Sequence, residues 1–414
     1  MNEKTEVLFL CQYFYPEYVS SATLPFDTAS ALVKAGFSVA ALCGYPKEFN
    51  STGDVALEEV HAGIFIKRLR YLQLDRVSAL GRLVNYFSFT AAVFTRFLYL
   101  RNFKVLIVYT NPPVLPLVAA WASRLFNSRL ILVSYDVYPE IALITGSISE
   151  KGLIHRTMNF INRRVYRQVH KVVALSHDMK AFLLRHRKGL TEDQVAVIPN
   201  WFEEPADQGG REGEGGGTLT DRYQGELIVS FFGNMGTCQD LDTILTAMRM
   251  LKEEAGIRFL FAGHGNKKDA LAKTVQDEGL EQAVVYDFLH GQDYQDALDR
   301  TDVFVLSLVE GVTGLAVPSR IYGYLMAGKP VIAIMGAEAD IARDLTEYQA
   351  GYVIAPGDAD RLVRALQELK NSETLQREMG AASRRIHEAK YIREAAFAKY
   401  RTLINDALEY GKNV

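Results

Sequence analysis

Residues 306–334 read LSLVEGVTGLAVPSRIYGYLMAGKPVIAI. An apolar run ends at Leu306, and a loop with Gly311 and Gly314 follows. Pro318-Ser319 then opens a helix, because proline is tolerated in a first helical turn and serine can cap its free amides. Ala327-Gly328-Lys329-Pro330 closes that helix, and Val331–Ile334 is a second apolar run. The stretch is thus one strand–loop–helix–strand unit. Short apolar runs bounded by turn residues read as strands buried on both faces of a parallel sheet. Arg320 projects from the first helical turn. Helix dipole, loop amides and a guanidinium converge there, as an anionic diphosphate requires. The alternative is a solvated arginine on an ordinary helix.

The same alternation runs outward in both directions. In the first half the apolar runs are Val7–Cys11, Val39–Cys43, Ile64–Leu69, Val105–Tyr109, Leu130–Val133, Val172–Leu175 and Val195–Ile198. Amphipathic segments such as Ala22–Ala35 and Leu115–Phe126 lie between them. Residues 203–226 interrupt the pattern with seven glycines in 24 positions, which reads as a linker or mobile loop. It resumes with Leu227–Phe232, Phe259–Ala262, Val284–Tyr286, Val303–Leu306, Val331–Ile334 and Tyr352–Ile354. Helices are expected over Asp240–Leu251, Asp358–Glu368, Thr374–Met379 and Tyr391–Tyr410. The expectation is an α/β chain of two Rossmann-like domains, 1–202 and 227–385, with 386–414 packing back toward the first. Ligands of such sheets bind beyond the carboxyl ends of the strands, so the cleft between the domains is the expected active site.

The 414 residues suit two domains, and 49% hydrophobic with 23% charged residues is a globular composition. Three cysteines, Cys11, Cys43 and Cys238, are too few for a disulfide framework or a Cys-rich zinc site. Neither a signal peptide nor a spanning segment is read, and a reducing cytoplasm is expected. The net charge of −3 hides an asymmetry. Residues 1–200 carry 23 Lys and Arg against 15 Asp and Glu, and residues 201–414 carry 23 against 34. A basic half joined to an acidic half points to an anionic partner for the first.

Two further strand–turn–helix strings stand in the second half. Gly233-Asn234-Met235-Gly236-Thr237 precedes one helix, and Gly263-His264-Gly265-Asn266 precedes another. Small residues there let backbone approach a phosphate. No G-x-G-x-x-G follows the first strand of either domain and no P-loop occurs, which argues against a dinucleotide redox cofactor.

These strings, with Asp302-Val303-Phe304, VPSRIYGYLMAGKPVIAI and GYVIAPGDADRL, resemble the donor domain of retaining glycosyltransferase family 4 across residues 227–385. Phe14-Tyr15-Pro16-Glu17, Ala35-Gly36-Phe37-Ser38-Val39 and Tyr135-Asp136-Val137-Tyr138-Pro139-Glu140 extend the resemblance through the first domain. The last string, with VPSR, is similar to the bacterial amino-sugar transferases of O-antigen and capsule assembly. The resemblance implies a GT-B fold with acceptor on the first domain and nucleotide-sugar on the second. It implies donor contacts from Gly233, Asn234, Gly236, Thr237, Gly263, His264, Phe288, Leu289, Gly314, Leu315, Ser319 and Arg320. The catalytic set it implies is Asp136, Glu140, Glu310 and Arg320.

Three features depart from the family pattern. Asn234 and Gln239 stand where many members carry Arg and Lys, which makes Arg320 the substitute charge. Glu310 fits the first of the family's paired glutamates, but the second falls at Gly323. Ser20-Ser21-Ala22 replaces the usual glycine pair after strand one. No metal is expected. Asp240-Leu-Asp242, Asp358-Ala-Asp360 and Glu338-Ala-Asp340 all sit at helix starts, where acids favour the dipole.

The stretch Arg76–Lys104 has seven Phe and Tyr, four Arg and one Lys, with no acid. With Lys151, Arg156, Arg163, Arg164, Arg167 and Lys171, it suits an interfacial surface on anionic lipid. A helix packed on the sheet with ordinary exposed arginines is the alternative. No cofactor and no nucleic-acid partner is expected. The expected function is metal-independent, retaining transfer of a UDP-linked N-acetylated or amino sugar to a polyprenyl-diphosphate-linked saccharide. It would take place on the inner face of the cell membrane, in surface polysaccharide biosynthesis. A UDP-sugar 2-epimerase of the same fold is the rival enzyme, and a silent partner subunit is the rival without catalysis.

Overall fold

A computed structural model describes residues 5–47, 53–74, 79–202, 225–287, 289 and 291–409. The chain forms two units. The first takes in Met1–Asn200, Gly314–Val317 and Glu394–Val414; the second takes in Trp201–Thr313 and Pro318–Arg393. The division falls at Asn200, and most of the Gly-rich stretch 203–226 lies outside the described residues. The final helix, Arg393–Glu409, joins the first unit from Glu394 onward, and Lys399 Nζ there donates to the Val197 carbonyl at 3.2 Å.

The first unit holds β1 (Thr5–Leu10), β2 (Val39–Gly44), β3 (Glu58–His61), β4 (Ile64–Leu69), β5 (Phe103–Tyr109), β6 (Arg129–Ser134), β7 (Lys171–Ala174) and β8 (Val195–Val197). Their order is β3-β4-β2-β1-β5-β6-β7-β8, parallel except for the β3–β4 hairpin. Strand β3 was not legible as an apolar run. Its residues alternate between exposed and half-buried, because an edge strand needs only one covered side.

The second unit holds β9 (Leu227–Asn234), β10 (Ile257–His264), β11 (Ala283–Tyr286), β12 (Val303–Ser307), β13 (Val331–Ile334) and β14 (Gly351–Ile354). All are parallel, in the order β11-β10-β9-β12-β13-β14. Apolar side chains of these strands pack against helices Leu241–Met250 and Ala359–Lys370 in a continuous buried cluster. The helix expected over Thr374–Met379 runs on through Lys390.

Both sheets are doubly wound, and in each the order of the parallel strands reverses once. The reversal falls between β1 and β5 in the first and between β9 and β12 in the second. At such a reversal the connecting helices leave on opposite faces, which opens a crevice at the carboxyl ends of the two strands.

Candidate active site

In the second unit, β9 and β12 stay in register only at Val303↔Val229 and Phe304↔Ser230. Beyond that point β9 lacks a strand partner on the β12 side. The helix Arg320–Met326 supplies the missing bonds. The Tyr324 hydroxyl accepts from the Phe232 amide at 2.7 Å and donates to the Phe232 carbonyl at 3.2 Å. Its ring stacks on Phe304, with centroids 4.0 Å apart. One turn earlier, Arg320 Nη2 donates to the Asn234 carbonyl, and the guanidinium lies 4.4 Å over the Phe231 ring. Desolvation lowers the Arg320 pKa from its usual value, opposed by the nearby Tyr324 and Tyr294 hydroxyls. Its Nη1 is buried and has no partner among the described residues. A cation with one unfilled donor therefore sits at the carboxyl end of β9.

The two glycine turns form one platform. Strands β9 and β10 remain paired to Gly233↔Gly263 and Asn234↔His264. A side chain at Gly263 would stand 1.9 Å from the Gly233 carbonyl oxygen, and one at Gly265 2.5 Å from Met235 backbone. Both have positive φ, at 149° and 130°. Only glycine fits either place. The Met235 amide donates to the His264 carbonyl at 2.6 Å, and Asn266 Nδ2 to Thr237 Oγ1 at 3.0 Å.

The amides expected to face a diphosphate divide. The Gly236 amide is taken by Gln239 Oε1 at 2.9 Å, and the Gly314 amide by Asp178 Oδ2 at 3.1 Å. Leu315 is buried, and its carbonyl accepts from the Val137 amide at 2.8 Å. Gly314 and Leu315 thus belong to the first unit, with the Gly314 amide already taken there. The Thr237 amide has no partner among the described residues. Ser319 is exposed and makes no side-chain cap, so the capping expected of it is absent and the helix it precedes has seven residues. The charge of Arg320, more than a helix dipole, is what this edge offers an anion.

One cation was missed in the sequence. Lys267 Nζ donates to the Gln239 carbonyl at 2.8 Å, and its own amide donates to the Met235 carbonyl at 2.9 Å. Arg320 at Asn234 and Lys267 at Gln239 thus bring a positive charge to each position that lacked the expected Arg and Lys. The signal was a lysine two residues after Gly265. Gly323 is also explained. A Cβ there would come into ordinary contact with the Phe202 ring and the Tyr294 hydroxyl, both at 3.6 Å, so two aromatic side chains border the position of the missing glutamate. Glu310 is exposed. His264 is exposed and Leu289 half-buried, while Phe288 lies outside the described residues. Asp240 and Asp358 cap their helices, accepting from the Thr243 amide at 3.1 Å and the Arg361 amide at 2.9 Å.

In the first unit, Thr110 Oγ1 at the end of β5 accepts from the amides of Tyr135 and Asp136, at 3.1 and 3.2 Å. That fixes the turn after β6. The Asp136 carboxyl has no partner among the described residues, and burial pushes its pKa up to about 6. Glu140 differs. Arg187 clasps it with Nη1 at 2.7 Å and Nη2 at 2.6 Å, and Nη2 also reaches the Tyr138 carbonyl. Glu140 therefore braces the turn that carries Asp136 and is a positioning residue. Phe14-Tyr15-Pro16-Glu17 is likewise braced, with Arg68 Nη2 on the Tyr15 carbonyl at 2.9 Å and Tyr15 stacked on His61.

Other polar groups gather on adjacent strand ends. The Gln12 side chain, just past β1, is 1% exposed, and neither its oxygen nor its nitrogen has a partner among the described residues. Asn111 Oδ1 past β5 and Ser134 Oγ at the end of β6 are buried and likewise without a partner among the described residues. Sequence reading missed these residues, because single Gln, Asn and Ser side chains carry no motif.

Residues 26–201 match the family model described as glycosyl transferase 4-like domain, and residues 226–372 that of glycosyl transferases group 1. WbjE of Pseudomonas aeruginosa, a protein named as a glycosyltransferase, is 24% identical over 312 residues, covering 75% of this chain and 77% of its own. WcaI of Escherichia coli (strain K12), named as a colanic acid biosynthesis glycosyl transferase, is 22% identical over 255 residues, 59% of this chain and 61% of its own. Among solved structures, Anabaena HepE in complex with UDP and glucose has a TM-score of 0.67 at 14% identity, covering 97% of this chain and all of that one. The likeness shows the GT-B fold.

Proposed function

This chain belongs to the glycosyltransferases that join a glycosyl transferase 4-like domain to a group 1 domain, and on that premise we propose that it is a retaining, metal-independent transferase. Its donor is a UDP-linked N-acetylated or amino sugar, and its acceptor a polyprenyl-diphosphate-linked saccharide. It works in surface polysaccharide biosynthesis, at the inner face of the cell membrane. The observation that carries the reading is Arg320, a cation with an unfilled buried donor on a backbone platform that only glycine permits. Such a site suits an anion. The UDP in the HepE complex and the colanic acid in the name of WcaI support the donor and the setting.

The chemistry follows from where charge grows. As the sugar–oxygen bond of the donor breaks, negative charge builds on the departing diphosphate. Fixed cations already aimed there stabilise that charge without reorganising. Arg320 is the first such group, with Lys267 and the Thr237 amide beside the same loop. The acceptor hydroxyl attacks from the face the diphosphate leaves, and a diphosphate oxygen takes its proton. No strong protein base is needed. Asp136 accepts a hydrogen bond from the acceptor and holds its hydroxyl for attack.

Thermal stabilisation by a panel of nucleotide-sugars tests the reading, followed by transfer assays with EDTA. The expected result is stabilisation by a UDP-sugar and a product that keeps the donor's anomeric configuration, unaffected by EDTA. Donor turnover without acceptor would favour the epimerase. Binding without any turnover would favour the silent subunit.

A further inference from the structure

We infer that the solvent side of three neighbouring helices of the first unit, Ala79–Thr95, Leu115–Phe126 and Leu153–Val165, is a docking surface for an anionic lipid bilayer. The inference deepens the membrane setting proposed above by naming the surface, and vesicle binding tests it whatever the donor proves to be. The Arg76–Lys104 stretch alone is too narrow a description. Its Phe89 and Phe103 are core residues, at 0% and 2% exposure, and Arg76 lies outside the described residues. What remains outside is more ordered than the sequence pattern suggested.

The middle helix packs against both others, so the three form one layer. Phe87 and Phe94 lie about 40° or less from Leu83 around the first helix at ~100° per residue, so they share a face. Phe94 touches Trp121 of the second helix, ring centroids 6.5 Å apart. Leu125 follows Trp121 by one turn. In the third helix Leu153 and Phe160 stand two turns apart. Phe87, Phe94, Trp121 and Phe160 are each about half exposed, Leu125 67% and Leu153 79%. Large apolar groups so exposed on one layer mark an interaction surface, since scattered single residues are the norm elsewhere.

Charge selects the partner. Residues 76–135 contain no Asp or Glu, and neither do residues 151–177. Arg96, Arg124, Arg156 and Arg164 are exposed among the apolar groups, and the Arg164 guanidinium lies 4.8 Å over the Phe160 ring. A second copy is a poor occupant, because a two-fold contact would set these arginines against their own counterparts. An anionic lipid surface satisfies both features. Aromatic and leucine side chains enter the headgroup boundary while arginines hold the phosphates. No helix among the described residues is long and apolar enough to span a bilayer, so this contact lies on the surface.

The test uses the full chain with vesicles of phosphatidylglycerol mixed with phosphatidylcholine, and with phosphatidylcholine alone. Binding should need the anionic lipid and fall steeply with salt. The chain has two tryptophans, and Trp201 is buried, so quenching by brominated lipid reports Trp121. Quenching should accompany binding. Changing Arg96, Arg124, Arg156 and Arg164 together to Glu should weaken binding by at least about a hundredfold. Trp121→Ser with Leu125→Ser should weaken it by about tenfold while the melting temperature stays put, because both side chains are exposed. Three outcomes would overturn the inference: equal binding to both vesicle types, bound protein whose tryptophan is not quenched, or a concentration-dependent dimer that the serine variant abolishes.

Discussion

The carboxyl edges of the two sheets are built by different means. In the second unit the edge is backbone and charge. Glycines at 263 and 265 let two turns touch, Tyr324 replaces the bonds β9 loses, and Arg320 and Lys267 bring cations to the loop between. In the first unit the edge is side-chain amides and hydroxyls. Gln12, Asn111 and Ser134 hold buried polar atoms without partners among the described residues, on the same edge as the desolvated carboxyl of Asp136. An edge of cations and close backbone suits a diphosphate, whose charge is diffuse and whose oxygens accept. An edge of neutral donors and acceptors suits a sugar, whose hydroxyls do both. Leaving a buried polar group unpaired costs about 1–3 kcal/mol, so an edge with several such groups is tolerated where a ligand fills them.

The contrast breaks first at Arg320. Arg320→Ala should lower kcat by about 10²–10³ while the fold survives, because the charge is made for the transition state. Arg320→Lys should recover only part, since an ammonium cannot reach Asn234 and a ligand at once in a fork. Steady-state kinetics with a saturating donor decide it. Near wild-type turnover in the alanine variant would remove the second unit's edge from the chemistry.

Next comes Asp136, the desolvated carboxyl on the first edge. Its pKa of about 6 in the folded chain lies above the ordinary value near ~3.9. The folded state therefore holds an extra proton between those values, and stability falls as pH rises through that window. At neutral pH the carboxylate destabilises the fold, by no more than about 3 kcal/mol for a shift of this size. Asp136→Asn should raise the melting temperature at pH 7.5 and leave it unchanged at pH 4. Transfer needs the ionised form, so the wild-type rate should drop about tenfold per unit below pH 6. The asparagine variant should be slow and flat with pH. A variant less stable at pH 7.5 would mean that Asp136 has an internal partner after all.

These two residues also show why the edges were unequally legible. Strand β13 was readable to the residue because a strand covered on both faces is apolar throughout, the helix Leu115–Phe126 because its apolar stripe repeats at helical spacing, and β4 because Ile64, Ile66 and Leu69 mark it despite Lys67 and Arg68. The glycine turns and Pro-Ser-Arg were readable because backbone strain and charge at a strand end leave few residue choices. Glu140 misled, because an acid in a motif looks the same whether it meets a ligand or Arg187, which lies 47 residues away in sequence. Lys267 and Gln12 were invisible for a related reason. Their roles come from strand adjacency, and adjacency is set by the sheet order and not by spacing along the chain.

Lys267 is expected to matter less than Arg320, because its ammonium already has a carbonyl partner. Lys267→Ala should raise the donor KM by about tenfold with a smaller change in kcat, and Lys267→Arg should restore much of it. UDP inhibition constants should move in parallel with the donor KM, and the acceptor KM should not move. If only the melting temperature falls, Lys267 merely ties the two glycine turns together.

The smallest effect is also the one that separates a ligand site from a packing defect. Gln12 is fully buried, and neither amide atom has a partner among the described residues. Methionine has nearly its shape and no such groups to satisfy. If Gln12 serves only the fold through contacts in this arrangement, removing its amide relieves a penalty and changes nothing else. If the amide meets the acceptor, Gln12→Met should stabilise the free protein by about 1 kcal/mol and still weaken transfer, with the acceptor KM rising and the donor KM unchanged. Opposite movements of stability and acceptor affinity are the signature of a group held unsatisfied for a ligand. Chemical denaturation and steady-state kinetics on the one variant measure both. A stabilised variant with unaltered kinetics would leave Asp136 alone on the first edge. A destabilised one would show that the amide is already paired in solution.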